Sequence, residues 1–330
     1  MRIGRTLSPA ATPIGWSEIH SGLRSFARRE SECRRFADEL CKYLGKRHCY
    51  LFSSGRAALT VALRALSNLY PDRDRVLIPA YCCYSVPAAI VRAGLKVVLC
   101  DVDEPSLDFD FRQLSSRLED ERLLCVVPAH LFGIPADVKR LRRMLDGRDV
   151  PIVEDAAQAL GVMVDNSLLG TQGDIGLFSL GRGKPLTTVG GGILVTDDDA
   201  IAAAINGAMA CLKQNSASEL LGQIATALAI KLLGVPALFW LPRALPFLRL
   251  GETVYDPGFP IRQLSGFQAG LSRGWQKRLA SSWGQRRKNT KVWLKTLPVG
   301  LFRPKLPDQQ PDLLRFPVVC ADETQRKSVL

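Results

Sequence analysis

Histidine is scarce in this chain, and His20, His48 and His130 lie far apart. No spacing among them builds a zinc cluster, so no metal is expected. The nine cysteines include no C-x-x-C pair and form an odd number, which argues against a simple disulfide framework and for reduced thiols in a cytoplasmic protein. The adjacent Cys82 and Cys83 could be redox-active, although buried, inert thiols are the commoner case. The N-terminal MRIGRTLSPAATPIGW lacks the continuous apolar core of a secretory signal. Helix-turn-helix, zinc and RNP-type patterns are also missing, so nucleic acid is not an expected partner. A spanning helix needs about 20 predominantly apolar residues. The most apolar stretch, 219–250, is interrupted by Gln223, Lys231, Pro236 and Pro242. It reads as packed helices or an interfacial hairpin, suited to peripheral contact with a membrane or to a subunit interface.

What the chain has in excess is positive charge. Lys and Arg number 44 against 32 Asp and Glu, a net charge of +12, and such a balance favours anionic partners. Part of it lies in Arg24, Arg28, Arg29, Arg34 and Arg35, and part between Arg286 and Lys295, where a solvated helix face is the simpler explanation. With 330 residues, 47% hydrophobic and 23% charged, the chain can bury a large α/β core, alone or with a smaller second domain.

Residues 16–45 carry Trp16, Ile19, Leu23 and Phe26 at helical spacing among many charges, an amphipathic arm. Beyond it, short β-rich runs (VLIP at Val76, KVVLC at Lys96, LLCVV at Leu123, PIVED at Pro151, IGLFS at Ile175, GGILVT at Gly191) alternate with helical stretches at Ala57–Leu69, Val86–Ala93, Phe111–Leu118 and Ala136–Leu145. That alternation predicts a mainly parallel sheet covered on both faces, with ligands beyond the carboxyl ends of its strands. A long basic helix is expected over Gln268–Leu297 and a further strand in LLRFPVVC, after which the second domain looks unfinished. The divisions expected are a helical arm (1–47), a large cofactor-binding domain (48–212), an apolar helical insertion (213–256) and an incomplete small domain (257–330).

Three segments at strand ends carry the chemistry. In SSGRAAL, Ser53–Leu59, a glycine opening a helix offers backbone N–H groups and the positive end of the helix dipole to a phosphate. In VEDAAQALG, Val153–Gly161, Asp155 leaves the sheet edge for a crevice, where a carboxylate needs a cationic partner. In GLFSLGRGKPL, Ser179 can donate to the same phosphate, and Gly181 and Gly183 permit a close turn that leaves Lys184 pointing inward. A desolvated lysine is a nucleophilic amine able to capture an aldehyde. Singly, each of these is more often a turn, a cap or a solvated side chain; their order along the chain gives them weight.

Taken with IPAYCCYSVPAAIVRAGLKVVLCDVD (Ile78–Asp103), PAHLFGIPADVKRL (Pro128–Leu141) and GDIGLFSLGRGKPLTTVGGGILVTDD (Gly173–Asp198), these segments resemble the DegT/DnrJ/StrS sugar aminotransferases. The resemblance is close over about 48–212 and weaker over 257–297. It implies the α/β architecture of fold type I pyridoxal phosphate transferases, with a large α/β/α domain and a smaller α/β domain. It also implies pyridoxal 5'-phosphate as cofactor, glutamate as amino donor, a keto sugar (expected to be nucleotide-linked, from polysaccharide or glycan biosynthesis) as acceptor, and a homodimer.

Residue by residue, Lys184 resembles the Schiff-base lysine, Asp155 the partner of the pyridine nitrogen, and Gln158 the residue bonding the ring's phenolic oxygen. Gly55, Arg56 and Ser179 fall at phosphate-binding positions, with Arg56 in place of the family's usual threonine. The family's ring-covering aromatic aligns with Cys83, so Tyr81 or Tyr84 is expected to cover the ring instead. His130 and Tyr84 are candidates for substrate contact, His130 being equally readable as a core histidine. Related dehydratases replace the lysine by histidine, which Lys184 argues against. The alternative is a catalytically degenerate or regulatory member, favoured by Arg56, by the missing aromatic, and by Ile261 at the place where the family tends to supply an asparagine across subunits.

Overall fold

β-branched and leucine-rich runs form the centre of the fold, and small or capped helices cover them. The computed structural model describes residues 13–244, 255–297, 312–320 and 322–329. Seven strands make the main sheet: β1 (His48–Phe52), β2 (Arg75–Pro79), β3 (Lys96–Cys100), β4 (Leu123–Val126), β5 (Val153–Asp155), β6 (Ile175–Ser179) and β7 (Gly192–Thr196). β2 lies between β3 and β4, parallel to both. β6 runs parallel to β5, with Leu177 opposite Asp155, and antiparallel to β7, which pairs antiparallel with β1 through Leu51 and Ile193. Two parallel bridges, Val126–Ile152 and Ala129–Asp155, join the two sets. The order is therefore β3-β2-β4-β5-β6-β7-β1, and only β7 runs against the rest. The expected mainly parallel sheet is present, and every other strand ends on the same edge.

α3 (Gly55–Leu69) is buried along most of its length, from Ala57 to Leu66. Its alanines allow close approach to α4 (Ser85–Ala93), α7 (Asp199–Ala210) and β7. Leu59, Leu63 and Leu66 are each at most 1% exposed, and full burial of one such side chain is worth about 1.5–3 kcal/mol. On the opposite face, Phe36, Leu40 and Leu44 of α2 (Arg29–Leu44) meet Phe178, Ile193 and Val195 of the sheet. The same cluster takes in Trp275, Leu279 and Trp283 of α11 (Trp275–Thr296). The N-terminal arm and residues 275–283 thus share one core with the sheet, across the divisions drawn from sequence.

Two expectations are corrected. The single helix over Gln268–Leu297 is two, α10 (Gly266–Leu271) and α11, because Gly274 stands in the left-handed region at φ 68° and turns the chain between them. LLRFPVVC forms no continuous strand, only a β-bridge at Val319: Pro317 has no N–H to donate, and the Leu314 N–H is taken by the Phe132 carbonyl at 2.7 Å. The apolar stretch becomes α8 (Ala217–Leu233), which follows α1 (Trp16–Arg24) in packing on α10, and then a short turn of helix, Trp240–Arg243. Its last part, 245–250, lies outside the described residues. Among the described residues no helix is long and apolar enough to cross a membrane.

Candidate active site

Because β1, β2, β5 and β6 all run the same way, the residues that follow them collect on one edge of the sheet. Ser53–Gly55 follow β1, Tyr81–Tyr84 follow β2, Asp155 ends β5, and the loop carrying Lys184 follows β6.

Lys184 is half-buried. Burial holds its amine below the ordinary lysine value, against the opposing charge of Asp155. Asp155 is displaced the other way: burial raises its carboxyl, opposed by Lys184 and by a 3.0 Å hydrogen bond from the Ala157 N–H. The two groups predicted to meet are therefore close enough to feel each other's charge in a weakly solvated setting. The charges of Cys83 and of Arg315 also reach Lys184. Sequence reasoning missed Arg315, which comes from the segment expected to be a strand.

At the phosphate end, the Ser54 side chain caps α3 by accepting from the Ala57 N–H at 3.2 Å, and the first-turn N–H groups of Gly55 and Arg56 have no acceptor within the helix. A methyl group on Gly55 would stand 3.2 Å from Ser179 Cβ and 3.3 Å from its Oγ. The missing side chain thus keeps open the gap between the helix and the strand end. Ser53 Oγ is buried without a hydrogen-bond partner among the described residues. The guanidinium of Arg56 is turned toward Asp256, at 3.4 Å, and lies over the Phe259 ring, 4.6 Å from its centroid. Gln158 is fixed by its Oε1, which accepts from the Phe132 N–H at 3.2 Å. Phe132 holds φ 60° and Val189, in the loop after Lys184, φ 73°, strained values for such side chains that cluster around functional sites.

His130 is a core residue. It is 1% exposed; its Nδ1 accepts from the Ala136 N–H at 3.0 Å, and its Nε2 donates to Glu154 Oε2 at 2.8 Å. Both ring nitrogens being occupied, it offers none to a substrate, which corrects its candidacy. Tyr81 and Tyr84 are 53% and 59% exposed, whereas Cys83 is the residue of this loop whose charge bears on Lys184. Cys82 packs against the core, and burial, with the Asp155 charge, raises its thiol to about 12. That is unlike a redox-active cysteine. Ile261 is buried in the core beside α3.

The sequence profile of the DegT/DnrJ/EryC1/StrS aminotransferase family matches residues 19–234, more than half of the chain. The chain belongs to this family. GDP-perosamine synthase of Vibrio cholerae is 28% identical over 167 residues, 51% of this chain and 45% of that protein. UDP-N-acetyl-3-dehydro-α-D-glucosamine 3-aminotransferase of Acidithiobacillus ferrooxidans is 31% identical over 166 residues, 50% and 44% of the two chains. The chain thus spans less than half the length of these curated relatives. Among solved structures, E. coli GDP-4-keto-6-deoxy-D-mannose-3-dehydratase with bound hydrated PLP superimposes with a TM-score of 0.73 at 19% identity, covering 99% of this chain and 82% of that one. The sugar aminotransferase CalS13 from Micromonospora echinospora gives 0.73 at 21%, covering 98% and 82%. At those identities the likeness speaks for a shared fold type I architecture.

Proposed function

We infer that this family member is a pyridoxal phosphate-dependent aminotransferase that moves an amino group, with glutamate as donor, onto a nucleotide-linked keto sugar. Its setting is the cytoplasm and its working form a homodimer. The observation that carries this reading is that the half-buried Lys184 amine and the Asp155 carboxyl stand close enough to act on each other, on the sheet edge where Gly55 keeps open the gap between a helix N-terminus and Ser179. Support for the substrate class comes from the relatives, one named for GDP-perosamine and another for a UDP-linked dehydro sugar.

The residues present suit the cofactor. Gly55 leaves room for a phosphate between the first turn of α3 and Ser179, and the buried Ser53 hydroxyl has a hydrogen bond to give. Asp155 would hold a protonated ring nitrogen, and Gln158, anchored through Oε1, would have amide hydrogens to donate to the ring's oxygen. Bound there, the cofactor would supply an aldehyde carbon for an amine and a ring that withdraws electrons from a donor's α-carbon. Lys184 contributes an amine that burial makes easier to deprotonate and so more available as a nucleophile, and its Nζ can accept a proton from one carbon and return it to another. Partial burial limits the access of water to both groups.

The test is reconstitution. With pyridoxal phosphate added, borohydride reduction should fix the cofactor to the Lys184-containing peptide, Lys184→Ala should abolish that adduct, and glutamate should convert the bound cofactor to its amine form. Cofactor uptake on Lys184 with no conversion by glutamate would identify a non-catalytic family member instead.

A further inference from the structure

α8 is a solvent-facing helix with an apolar outer face. Residues 218, 221, 222, 225, 229 and 232 form one exposed stripe, and its members are Ser218, Leu221, Gly222, Ala225, Ala229 and Leu232. A surface helix normally turns charged and polar side chains outward; this one shows none that is charged along a length of about 25 Å. Its inner face is already spoken for: Ile224, Ala227, Leu228 and Ile230 pack with Ile14, Ile19, Phe267 and Leu271. The exposed apolar surface continues past the helix with Val235, Leu238 and Leu241 at 44%, 40% and 42%, while Leu221 and Leu232 stand at 67% and 51%. On the neighbouring α1 and the turn that follows it, Trp16, Leu23 and Phe26 are each about half exposed.

The charges around this surface are mainly basic. Arg24, Arg28, Lys213 and Arg243 are exposed and pair with no carboxylate among the described residues, and Lys231 lies over the Trp16 ring, 6.0 Å from its centroid. Among the acids, Glu219 caps α8 and pairs with Arg262, Glu18 accepts from the Gly15 N–H at 2.7 Å, and Glu30 is exposed beside Arg28. Lys213, at the leading end of α8, opens onto a basic cavity of about 450 Å³ shared with Arg64, Arg92 and Arg262.

We propose that this face seats the protein peripherally on an anionic lipid bilayer, the leucines entering the headgroup boundary and the basic rim meeting lipid phosphates. A second copy is the poorer occupant. A twofold contact would bring the excess cations of one rim against those of the other, with few carboxylates to answer them. The proposal rests on the surface alone, not on the activity inferred above.

Vesicle flotation of the full-length chain tests it. Binding to phosphatidylcholine vesicles containing phosphatidylglycerol should exceed binding to phosphatidylcholine alone by about tenfold or more and should weaken with salt. Leu221→Glu with Leu232→Glu, both on the exposed stripe, should abolish flotation while the circular dichroism stays unchanged. Arg24→Glu with Lys213→Glu leaves the leucines in place and should weaken binding by about tenfold. Failure to float with either vesicle, or wild-type flotation of both double variants, overturns the proposal. It also falls if sedimentation shows the leucine variant splitting a dimer that never bound vesicles, which would assign the face to a second copy.

Discussion

At the scale of single residues, the carboxylate that organises the site is not the one the sequence singles out. Glu154 precedes Asp155, is fully buried, and accepts from His130 Nε2, from the Gly170 N–H at 3.0 Å, and from the N–H groups of Gln172 and Gly173. It ties the loop before β6 to the end of β5 and so fixes the strand from which Asp155 projects. The VED motif shows two acids, and strand alternation separates their faces; nothing local says that the inward one has four partners, because they come from 16 or more residues away. Burial pushes the Glu154 carboxyl up, but the hydrogen bond from His130 and the backbone N–H groups outweigh it, leaving the group below its ordinary value of 4.5. With a depressed folded value, its stabilisation is fully present above 4.5 and is lost as pH falls through that lower value. Glu154→Gln, which turns an acceptor into a donor facing backbone N–H groups, should cost about 3 kcal/mol or more at neutral pH and flatten the acid limb of the stability curve. Urea melts of both proteins across that range check it. Equal stabilities at neutral pH would show that the carboxylate is dispensable.

Elements explain what was legible in the sequence and what was not. Six of the strands follow from apolar runs read in order, and Lys184, Asp155, Gln158, Ser179 and Gly55 could be placed because each sits within a few residues of a strand end that a parallel sheet must bring to one edge. His130 was ambiguous because its two partners, Glu154 and the Ala136 N–H, become neighbours only after folding. Arg56 is another such case. It stands in the first turn of α3, where sequence suggests a phosphate ligand, yet its side chain is drawn to Asp256 and Phe259, 200 and more residues away along the chain. The task of holding an anion then falls on the backbone of α3, on Ser179 and on the clearance at Gly55. Gly55→Val should therefore weaken pyridoxal phosphate binding by about tenfold or more, since its branched side chain would occupy the gap 3.2 Å from Ser179. Arg56→Ala should change affinity far less, and titration of cofactor absorbance separates the two. A larger loss for Arg56→Ala would mean that the guanidinium swings to the phosphate when it binds.

For the molecule as a whole, the main sheet is two sets of strands whose backbones pair, among the described residues, through the bridges Val126–Ile152 and Ala129–Asp155, and the candidate site lies across that seam. Ser53–Gly55, Asp155, Ser179 and Lys184 belong to the set of β5, β6, β7 and β1, while Cys82 and Cys83 follow β2 in the other set, near enough for Asp155 to act on the Cys82 thiol and for Cys83 to act on the Lys184 amine. A ligand held by Lys184 and Asp155 and covered by the 81–84 loop would tie the two sets together, which the unliganded fold does through few backbone hydrogen bonds. Such a ligand binds only the folded chain, so at about a hundred times its dissociation constant it adds about 2.7 kcal/mol. For a chain of this length, that is a rise of about 4 °C in melting temperature. Thermal melts with and without pyridoxal phosphate should show this rise in the wild type and a smaller one in Lys184→Ala, which keeps the phosphate cradle but loses the amine. Hydrogen exchange should slow on both sides of the seam together, in 81–84 and in 181–188. Protection confined to the Lys184 side would mean that the 81–84 loop takes no part in holding the cofactor, and that the coupling between the two sets is left to the bridges at Ile152 and Asp155, the His130–Glu154 hydrogen bond and the shared core.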